Sequence, residues 1–383
     1  DPAPTWTQDL DFDEEMTKAS AEFQVANTSA YDHMVINYTS GTTGDPEAIV
    51  HRHLSCVQQY ATAKWVLDLH EDDIYWCTAD PGWATGTAYG ITAPWTIGVT
   101  QLIHEGPFRA SDCYGLIGKH KVSVLYTAPT AIRMLMKAGD EVPRRYNLTS
   151  LRFTASVGEP LNPEAVVWGN AVFDMPFHDN WWQTETGAIM CANYACQDIK
   201  PGSMGRPLPG IELAVVDENF EPVPVGVDGI LVVRPGWPSM FHGYWQNSSM
   251  YNSRFKKGWY ITGDQAWQDE DGYFWFEARN DDMIISAGYN IAGPEVEAAL
   301  LAHPAVQECA VIGAPDEERG SIVQAHVVLA AGHEASDDLS KALKDHVKAT
   351  IAPYKYPRSI IFADALPKTE TGKIQRFRLR PDA

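Results

Sequence analysis

The sequence predicts an α/β protein with a small second domain of mixed α and β elements at its C-terminal end. Two observations carry this prediction. Short apolar runs alternate with helix-like stretches along the chain, which is the pattern of strands and helices in turn. A polar segment at 276–282 then follows a turn-rich aromatic stretch. We therefore expect a large domain over 1–278, a hinge over 279–282 and a C-terminal domain over 283–383.

The expected elements of the large domain are short apolar runs and longer helix-like runs. In chain order they are a strand over 33–38, a helix over 54–69, a strand over 122–126, a helix over 130–137 and a strand over 229–233. The 383 residues exceed one typical core, which agrees with more than one domain.

Five elements are expected after the hinge. They are a strand over 283–285, a helix over 294–302, strands over 306–312 and 322–329, and a helix over 337–349. This β-α-β-β-α order is enough for a small separate domain.

The charge, the cysteine spacing and the length of the apolar runs argue against several classes of protein. The net charge of −21 argues against a nucleic-acid partner, because an acidic protein repels the phosphate backbone. The six cysteines form no C-x-x-C pair, so reduced thiols in a cytoplasmic protein are expected. No apolar run reaches about 18 residues, so no membrane span is expected. The chain starts without Met, and we expect an N-terminally incomplete large domain.

A run of small hydroxyl residues and glycine follows the first expected strand. Backbone N–H groups and hydroxyls of such a run can wrap a phosphate chain. The run is not followed by the Gly-Lys-Ser/Thr ending of a Walker A loop. The alternative to a phosphate-binding loop is a surface turn rich in Ser and Gly. The run reads Tyr38, Thr39, Ser40, Gly41, Thr42, Thr43 and Gly44.

A second motif spans 178–187 and contains two adjacent tryptophans. In a strand, Trp181 and Trp182 point to opposite faces, so one can wall a pocket while the other packs in the core. Thr184 can hydrogen-bond a phosphate oxygen, and Glu185 can hold Mg²⁺. The alternative is an aromatic core strand followed by a turn.

Two further candidates are single charged residues beside glycine. Asp264 follows Gly263 at an expected strand end, where its carboxylate can accept both hydroxyls of a ribose; the alternative is an Asp that starts a turn. Lys373 follows Gly372 near the C-terminus and is either a solvated side chain or a charge brought to a phosphoryl transition state.

Taken in their order, these motifs resemble the adenylate-forming superfamily of acyl-CoA synthetases, firefly-type luciferases and peptide-synthetase adenylation domains. The resemblance covers 31–380. Segments 78–86, 126–130 and 156–164 and the tryptophan pair look like AMP-forming acetyl-CoA synthetases. Segment 286–295 looks closer to benzoate- and aminobenzoate-CoA ligases. The resemblance implies the adenylate-forming ligase fold, with a large N-terminal domain and a small, mobile C-terminal α+β domain.

The resemblance also implies roles for individual residues. The loop 40–44, beside Thr39, covers the β- and γ-phosphates of ATP. Thr184 touches the α-phosphate, Glu185 serves Mg²⁺, and Lys373 stabilises the adenylation transition state. The nucleotide is further surrounded by Gly158, Glu159, Pro160, His178, Asp179, Asn180, Trp181, Gln183, Asp264 and Arg279. Asp281 is the hinge, and Gly288 lies where the CoA chain passes after the small domain rotates.

The implied reaction joins a small carboxylic acid to CoA through an acyl-adenylate, with ATP, Mg²⁺ and CoA as cofactors and cosubstrates. Trp83 and Trp182 would line the acid pocket, and Trp182 would close it around acetate. A medium-chain or aromatic acid–CoA ligase is the alternative within the superfamily. The resemblance also implies that acetylation of Lys373 blocks adenylation, with a lysine acetyltransferase and deacetylase as partners.

The chain departs from the family at three places. The phosphate loop normally continues with Lys-Pro-Lys-Gly, whereas here it reads Asp45, Pro46, Glu47 and Ala48. Carboxylates beside a triphosphate repel it by roughly 4 kcal/mol at about 4 Å, so either they point away or ATP binds less tightly. Asn290 replaces a common Arg. The expected lack of an N-terminal segment would expose an apolar face near 1–150. Asp45, Glu47 and the expected lack of an N-terminal segment favour a third alternative, a truncated nucleotide-binding homologue without turnover. The presence of Glu185, Asp264, Arg279 and Lys373 opposes it.

Overall fold

The fold is described from a computed structural model, which covers residues 10–39, 47–279, 283–286, 289–316, 319–368 and 374–380. Its helices are α1 (Phe12–Lys18), α2 (Ser55–Trp65), α3 (Ala84–Thr87), α4 (Ala93–Ile97), α5 (Ala110–His120), α6 (Pro129–Lys137), α7 (Pro163–Phe173), α8 (Ser248–Ser253), α9 (Gly293–Leu301) and α10 (Asp337–Thr350). Its strands are β1 (His33–Thr39), β2 (Glu47–Arg52), β3 (Ile74–Cys77), β4 (Thr100–Gln101), β5 (Val124–Thr127), β6 (Phe153–Ser156), β7 (Phe177–Trp181), β8 (Cys191–Ala192), β9 (Arg206–Pro207), β10 (Leu213–Val216), β11 (Gly229–Val233), β12 (Gly243–Tyr244), β13 (Phe255–Lys256), β14 (Trp259–Gln268), β15 (Phe274–Arg279), β16 (Met283–Ser286), β17 (Tyr289–Ala292), β18 (Val306–Asp316), β19 (Gly320–Leu329) and β20 (Ser359–Phe362).

The largest sheet runs in the order β4-β3-β5-β6-β7-β8-β9. Its strands are parallel from β4 to β7 and antiparallel from β7 to β9. Every residue of β5, β6 and β7 is buried, as expected for parallel strands that are covered on both faces. The carboxyl ends of these three strands meet at one edge, which is where open α/β sheets bind their ligands.

Two antiparallel sheets stand beside that edge. One has the order β10-β11-β14-β13, with β15 paired to β14, and the other has the order β1-β2-β12. In the β14–β15 register, Asp264 lies directly opposite Arg279. The two charged residues therefore meet because their strands pair.

The elements after residue 282 build a separate apolar core. The hairpin β16–β17, the sheet β18-β19-β20 and the helices α9 and α10 surround it. Val296, Leu300, Val311, Val327 and Leu343 are buried within it. The expected α/β fold class with a smaller C-terminal α+β unit is thus confirmed.

The sequence prediction missed two strands of this unit. β17 contains the polar Asn290 and completes a hairpin with β16. β20 pairs in parallel with β19 from 30 or more positions away in the chain; neither pairing leaves a periodic apolar signal. In the large domain, the helix expected over 54–69 ends at Trp65, and Asp68 then adopts a left-handed φ of 51°.

Large apolar side chains are exposed in the first part of the chain. Phe23, Val25, Trp95 and Ile103 are among them. Across the ranges described above, no helix is both long enough and apolar enough to cross a lipid bilayer.

Candidate functional site

A cavity of about 1340 Å³ opens between the carboxyl edge of the large sheet and the C-terminal unit. The predicted site residues that line it are Thr39, Trp83, Gly158, Glu159, Pro160, Asp179, Asn180, Trp181, Trp182, Gln183, Thr184, Glu185, Asp264 and Arg279. Residues far apart in the sequence therefore share one cavity. Ser40 to Gly44, Asp281, Gly288 and Lys373 lie outside the described residues.

The end of β7 places two polar side chains in the cavity wall. Burial raises the pKa of Asp179 to about 8, although the N–H groups of Asn180 and Leu161 oppose this shift. The side-chain amide of Asn180 donates to the carbonyl of Ser156 at 2.8 Å and accepts from the hydroxyl of Tyr126 at 2.9 Å. These bonds fix the wall where the carboxyl ends of β5, β6 and β7 meet.

Asp264 is held by donors on one oxygen. The indole N–H of Trp181 and the side-chain amide of Gln183 both donate to Oδ2 at 2.9 Å, and the hydroxyl of Tyr260 donates to Gln183 Oε1 at 3.1 Å. Arg279 Nε lies 3.9 Å from Oδ1. Burial raises the pKa of Asp264 to about 6, with the Arg279 charge opposing it. A fixed carboxylate of this kind can accept hydrogen bonds from vicinal hydroxyls.

The turn after Trp182 is held by hydrogen bonds between its own residues and by a close backbone contact at Gly187. Gln183 N–H donates to Thr186 Oγ1 at 2.9 Å, and Gly187 N–H donates back to the Gln183 carbonyl at 3.1 Å. Gly187 has φ of 71°, and a Cβ there would lie 2.3 Å from the carbonyl oxygen of Ser239. Only glycine fits this close approach, so the turn that carries Thr184 and Glu185 requires glycine at position 187.

His51, which the sequence prediction did not single out, holds this turn from β2. Its Nε2 lies 2.7 Å from the carbonyl oxygen of Thr184. Because a carbonyl can only accept, Nε2 must carry the proton. Burial lowers the pKa of His51 to about 4, so the ring is neutral. A buried neutral histidine therefore positions the backbone of Thr184.

A second missed group surrounds Glu185. The hydroxyl of Tyr244 donates to Glu185 Oε1 at 3.1 Å, and Arg254 Nε donates to the same hydroxyl at 3.2 Å. Arg254 and Glu47 both line the cavity. The sequence left open whether Glu47 points away from the site; at the start of β2, its side chain instead lines the cavity. Its neighbour Asp45 lies outside the described residues.

Trp182 forms a supported wall of the cavity. Its ring meets that of Tyr89 edge-on at a centroid distance of 5.3 Å. The Tyr89 hydroxyl accepts from the N–H of Ile189 at 2.8 Å and lies 2.7 Å from the hydroxyl of Thr62. Trp181 is instead buried in the core with its indole N–H on Asp264. Both tryptophans therefore line the cavity, Trp181 from within the buried core and Trp182 from a partly buried position.

Glu159 is already paired within the large domain. Both of its carboxyl oxygens lie 3.0 Å from the Thr130 hydroxyl, and Arg133 Nη2 lies 3.0 Å from Oε2. Gly158 beside it has φ of 94°, and a Cβ there would lie 4.0 Å from the Trp83 ring. Trp83 and Gly158 therefore meet at this side of the cavity.

The C-terminal unit contributes the opposite wall. Lys368 pairs with Glu308 at 2.5 Å, and Arg376 pairs with Glu297 at 2.8 Å. Lys368 and Ile374 form an antiparallel bridge and both line the cavity. The two ends of the segment that contains Lys373 are thus fixed beside the large-domain site.

Comparison with protein families assigns both parts of the chain. Residues 2–245 match the family described as AMP-binding enzyme, and residues 295–373 match the AMP-binding enzyme C-terminal domain. The chain is 49% identical to an acetyl-coenzyme A synthetase of Bacillus subtilis over 379 residues, which is 99% of this chain and 66% of that protein. It is 43% identical to an acetyl-coenzyme A synthetase of Methanothrix thermoacetophila, over 99% of this chain and 59% of that protein.

A solved structure agrees with the fold. The anthranilate CoA ligase in complex with anthranoyl-AMP superimposes with a TM-score of 0.86 at 34% identity, over 97% of this chain and 71% of that chain. The chain spans less than two thirds of the length of the two synthetases named above.

Proposed function

The chain belongs to the family of AMP-binding enzymes, and from this premise we propose that it is an AMP-forming acid–CoA ligase that acts on acetate. The observation that carries the proposal is the shared cavity. A carboxylate held by two donors, Asp264, faces the same space as the Thr184–Glu185 turn and the wall made by Trp182. That arrangement suits a nucleotide and a small acid side by side.

In the first step, a carboxylate oxygen of the acid attacks the α-phosphorus of ATP. The new P–O bond forms as the bond to the β-phosphate oxygen breaks, and pyrophosphate leaves with the electron pair. Asp264 holds the ribose hydroxyls, while the Thr184 hydroxyl donates to an α-phosphate oxygen. Lys373 places its ammonium on the charge that develops in the transition state, which is where a fixed charge is most effective.

The pocket fits the magnesium ion that the family uses. Mg²⁺ is usually held by one or two carboxylates together with substrate phosphates. Glu185 supplies one carboxylate at the cavity wall. No group of three or more metal-ligating side chains gathers within the described part of the chain. When bound, Mg²⁺ would neutralise the charge of the phosphate oxygens.

In the second step, the C-terminal domain rotates about the hinge at 279–282. Lys373 then leaves the cavity, and the face that carries Gly288 takes its place. The CoA thiol, after losing its proton, attacks the acyl carbon; the S–C bond forms and AMP leaves as the C–O bond breaks. One cavity edge serves two chemistries in turn, which is why the domains 1–278 and 283–383 must move. We place this activity in the cytoplasm.

Acetate is favoured over longer acids by the wall of the cavity. Trp182 packs against Tyr89, and the Tyr89 hydroxyl has two hydrogen-bonding partners. Displacement of the Trp182 ring to admit a longer acid would therefore disturb these contacts. The similarity to two acetyl-coenzyme A synthetases supports the same choice. The similarity to an anthranilate CoA ligase keeps aromatic acids as the second candidate.

Acetylation of Lys373 would regulate the first step. It removes the positive charge of the side chain, and with it the contact to the transition state. A lysine acetyltransferase and a deacetylase would then be partners of this protein. A sample acetylated at Lys373 should lose adenylation but keep AMP binding; full adenylation by that sample would refute the regulation.

The proposed function is tested with a panel of acids of increasing size. AMP release is measured with ATP, Mg²⁺ and CoA, for acetate, propionate, butyrate, benzoate and anthranilate. We expect the highest kcat/KM with acetate. A preference for an aromatic acid would establish the second candidate. AMP binding without turnover on any acid would identify a nucleotide-binding homologue.

A further inference from the structure

Glu47 occupies an inward position beside the phosphate end of the proposed nucleotide site. Side chains two apart in a strand share a face, so Glu47 lies on the same face of β2 as Ile49 and His51. Ile49 is fully buried, and His51 contacts the carbonyl of Thr184. Glu47 itself is half-buried and lines the cavity.

This position is unusual in its charge. The family that this chain resembles carries lysine here, next to the phosphate loop, and an ammonium suits a triphosphate. A carboxylate at the same place repels it, and Glu185 adds a second negative charge nearby. Burial and Glu185 both raise the pKa of Glu47, while Arg254 and Arg279 lower it. An ATP site with this wall needs a positive group from elsewhere.

Arg254 is placed to be that group. It follows α8 and lines the same cavity. Its Nε is fixed by the Tyr244 hydroxyl at 3.2 Å. A Cβ on Gly263 would lie 3.6 Å from Nη1, which puts the guanidinium beside the residue that precedes Asp264.

The free end of Arg254 is available for an anion. Its Nη1 and Nη2 make no hydrogen bond to any residue within the ranges that the structure describes. A guanidinium held at Nε presents its remaining N–H groups as a planar fork, which matches two oxygens of a phosphate. Arg254 thus combines a fixed stem with unused donors.

We propose that Arg254 binds the phosphate chain of ATP and replaces the lysine that the loop lacks. This inference depends on the proposed function in one respect, which is that the cavity binds ATP. It makes a charge-swap prediction: a lysine placed at position 47 should take over the role of Arg254.

The test is isothermal titration of ATP and of AMP into five proteins, in the presence of Mg²⁺. They are the wild type, Arg254→Gln, Glu47→Lys, the double variant Glu47→Lys with Arg254→Gln, and a control. The control is Arg234→Gln, which removes an exposed arginine that stacks on Trp259. Thermal melting of each protein is recorded, and Arg254→Lys is used if Arg254→Gln does not fold.

We expect Arg254→Gln to weaken ATP binding by about 10- to 100-fold, the effect of removing a charge-assisted hydrogen bond. AMP binding should change much less, because AMP lacks the outer phosphates. The same substitution should have little effect when position 47 is lysine. The control should bind both nucleotides as the wild type does.

Three results would overturn the proposal: unchanged ATP affinity in Arg254→Gln, equal losses for ATP and AMP, or equal losses with glutamate and with lysine at position 47. Failure of the proposed function is distinguishable, because it is read from turnover. A wild type that binds ATP but activates no acid contradicts the ligase assignment and leaves the Arg254 result valid.

Discussion

The indole N–H of Trp181 donates to Asp264 Oδ2 at 2.9 Å. Gln183 donates to the same oxygen, so the carboxylate has one saturated oxygen, and its other oxygen lies toward Arg279. The bond joins the end of the parallel sheet to the antiparallel sheet. It therefore sets the position of the one buried carboxylate that we assign to the ribose.

Asp264 should make nucleotide binding depend on pH. Its pKa is raised from 3.8 to about 6, chiefly by burial and against the charge of Arg279. A carboxyl with a raised pKa stabilises the fold below about pH 3.8, and this contribution is lost as pH rises through about 6. The proposed contact with the ribose hydroxyls needs the ionised form of Asp264, so AMP affinity should rise over the same pH interval.

The variant Asp264→Asn separates the effect of Asp264 on fold stability from its effect on AMP binding. We expect it to bind AMP about tenfold more weakly than the wild type above pH ~6 and to lose the wild-type pH dependence in that range. The empty variant should melt at a higher temperature than the empty wild type at neutral pH. The measurements are AMP titration and thermal melting across pH. If AMP affinity depended on pH equally in the variant and the wild type, the assignment of Asp264 to the ribose would be contradicted.

Trp182 should set the size of the acid. Trp182→Gly opens space beside Tyr89, and each buried methylene of a longer acid then gains about 0.8 kcal/mol. We expect the preference for acetate over butyrate to shift toward butyrate by about tenfold or more. Trp182→Phe keeps an aromatic wall and is the matched control. An unchanged ratio of kcat/KM values in Trp182→Gly would show that Trp182 does not close the acid pocket.

The ion pair of Glu297 with Arg376 should support the first step from a distance. Arg376 donates two bonds to Glu297 Oε1 and one to Oε2, and it lies three positions after Lys373. We expect Glu297→Ala to lower kcat for adenylation by about 10- to 100-fold, because a small displacement of a catalytic group is costly. KM for ATP should change little, which separates misplacement from lost binding.

The matched control for that experiment is Asp345→Ala, which breaks the more exposed ion pair with Lys348 on α10. Adenylation by this variant should equal that of the wild type. If both variants lost activity equally, general destabilisation of the C-terminal unit would be the cause.

Glu277 should make the empty protein less stable at higher pH. Burial raises its pKa from 4.5 to about 7, with help from Asp228 and Glu295, while Trp267 and Lys355 oppose the shift. Its stabilising contribution is present below pH ~4.5 and is lost as pH rises through about 7. Glu277→Gln should therefore melt about 2–4 °C higher than the wild type near pH 8.

The same substitution should bring no gain near pH ~4.5, where the wild-type carboxyl is protonated. Glu270→Gln, at the exposed turn that joins β14 to β15, is the control and should leave the pH profile of melting unchanged. If the melting temperature depended on pH identically in Glu277→Gln and the wild type, Glu277 would not be the group that lowers stability at higher pH.

The elements with strong local signals were predictable from the sequence. The apolar runs at β1 and β11 and the helical spacing at α6 and α9 gave elements within one or two residues of those observed. The shared position of Thr184 and Asp264 in one cavity was predictable only through the family resemblance, because no local pattern links residues so far apart in the chain.

The support around the site was not predictable. The pairing of β12 with β2 brings Tyr244 to Glu185, and Arg254 at the end of α8 donates to the Tyr244 hydroxyl. Sequence spacing carries no sign of either contact. The same holds for His51, whose neutral state depends on burial by the rest of the fold. Tertiary contacts, rather than local propensity, decide these roles.

The most direct test of the central claim is exchange of labelled pyrophosphate into ATP with acetate, comparing the wild type with Lys373→Ala. We expect measurable acetate-dependent exchange by the wild type. In Lys373→Ala, exchange should fall by at least about a hundredfold, while AMP still binds. Exchange by Lys373→Ala at the wild-type rate would contradict the claim that this lysine acts on a nucleotide held by the larger domain.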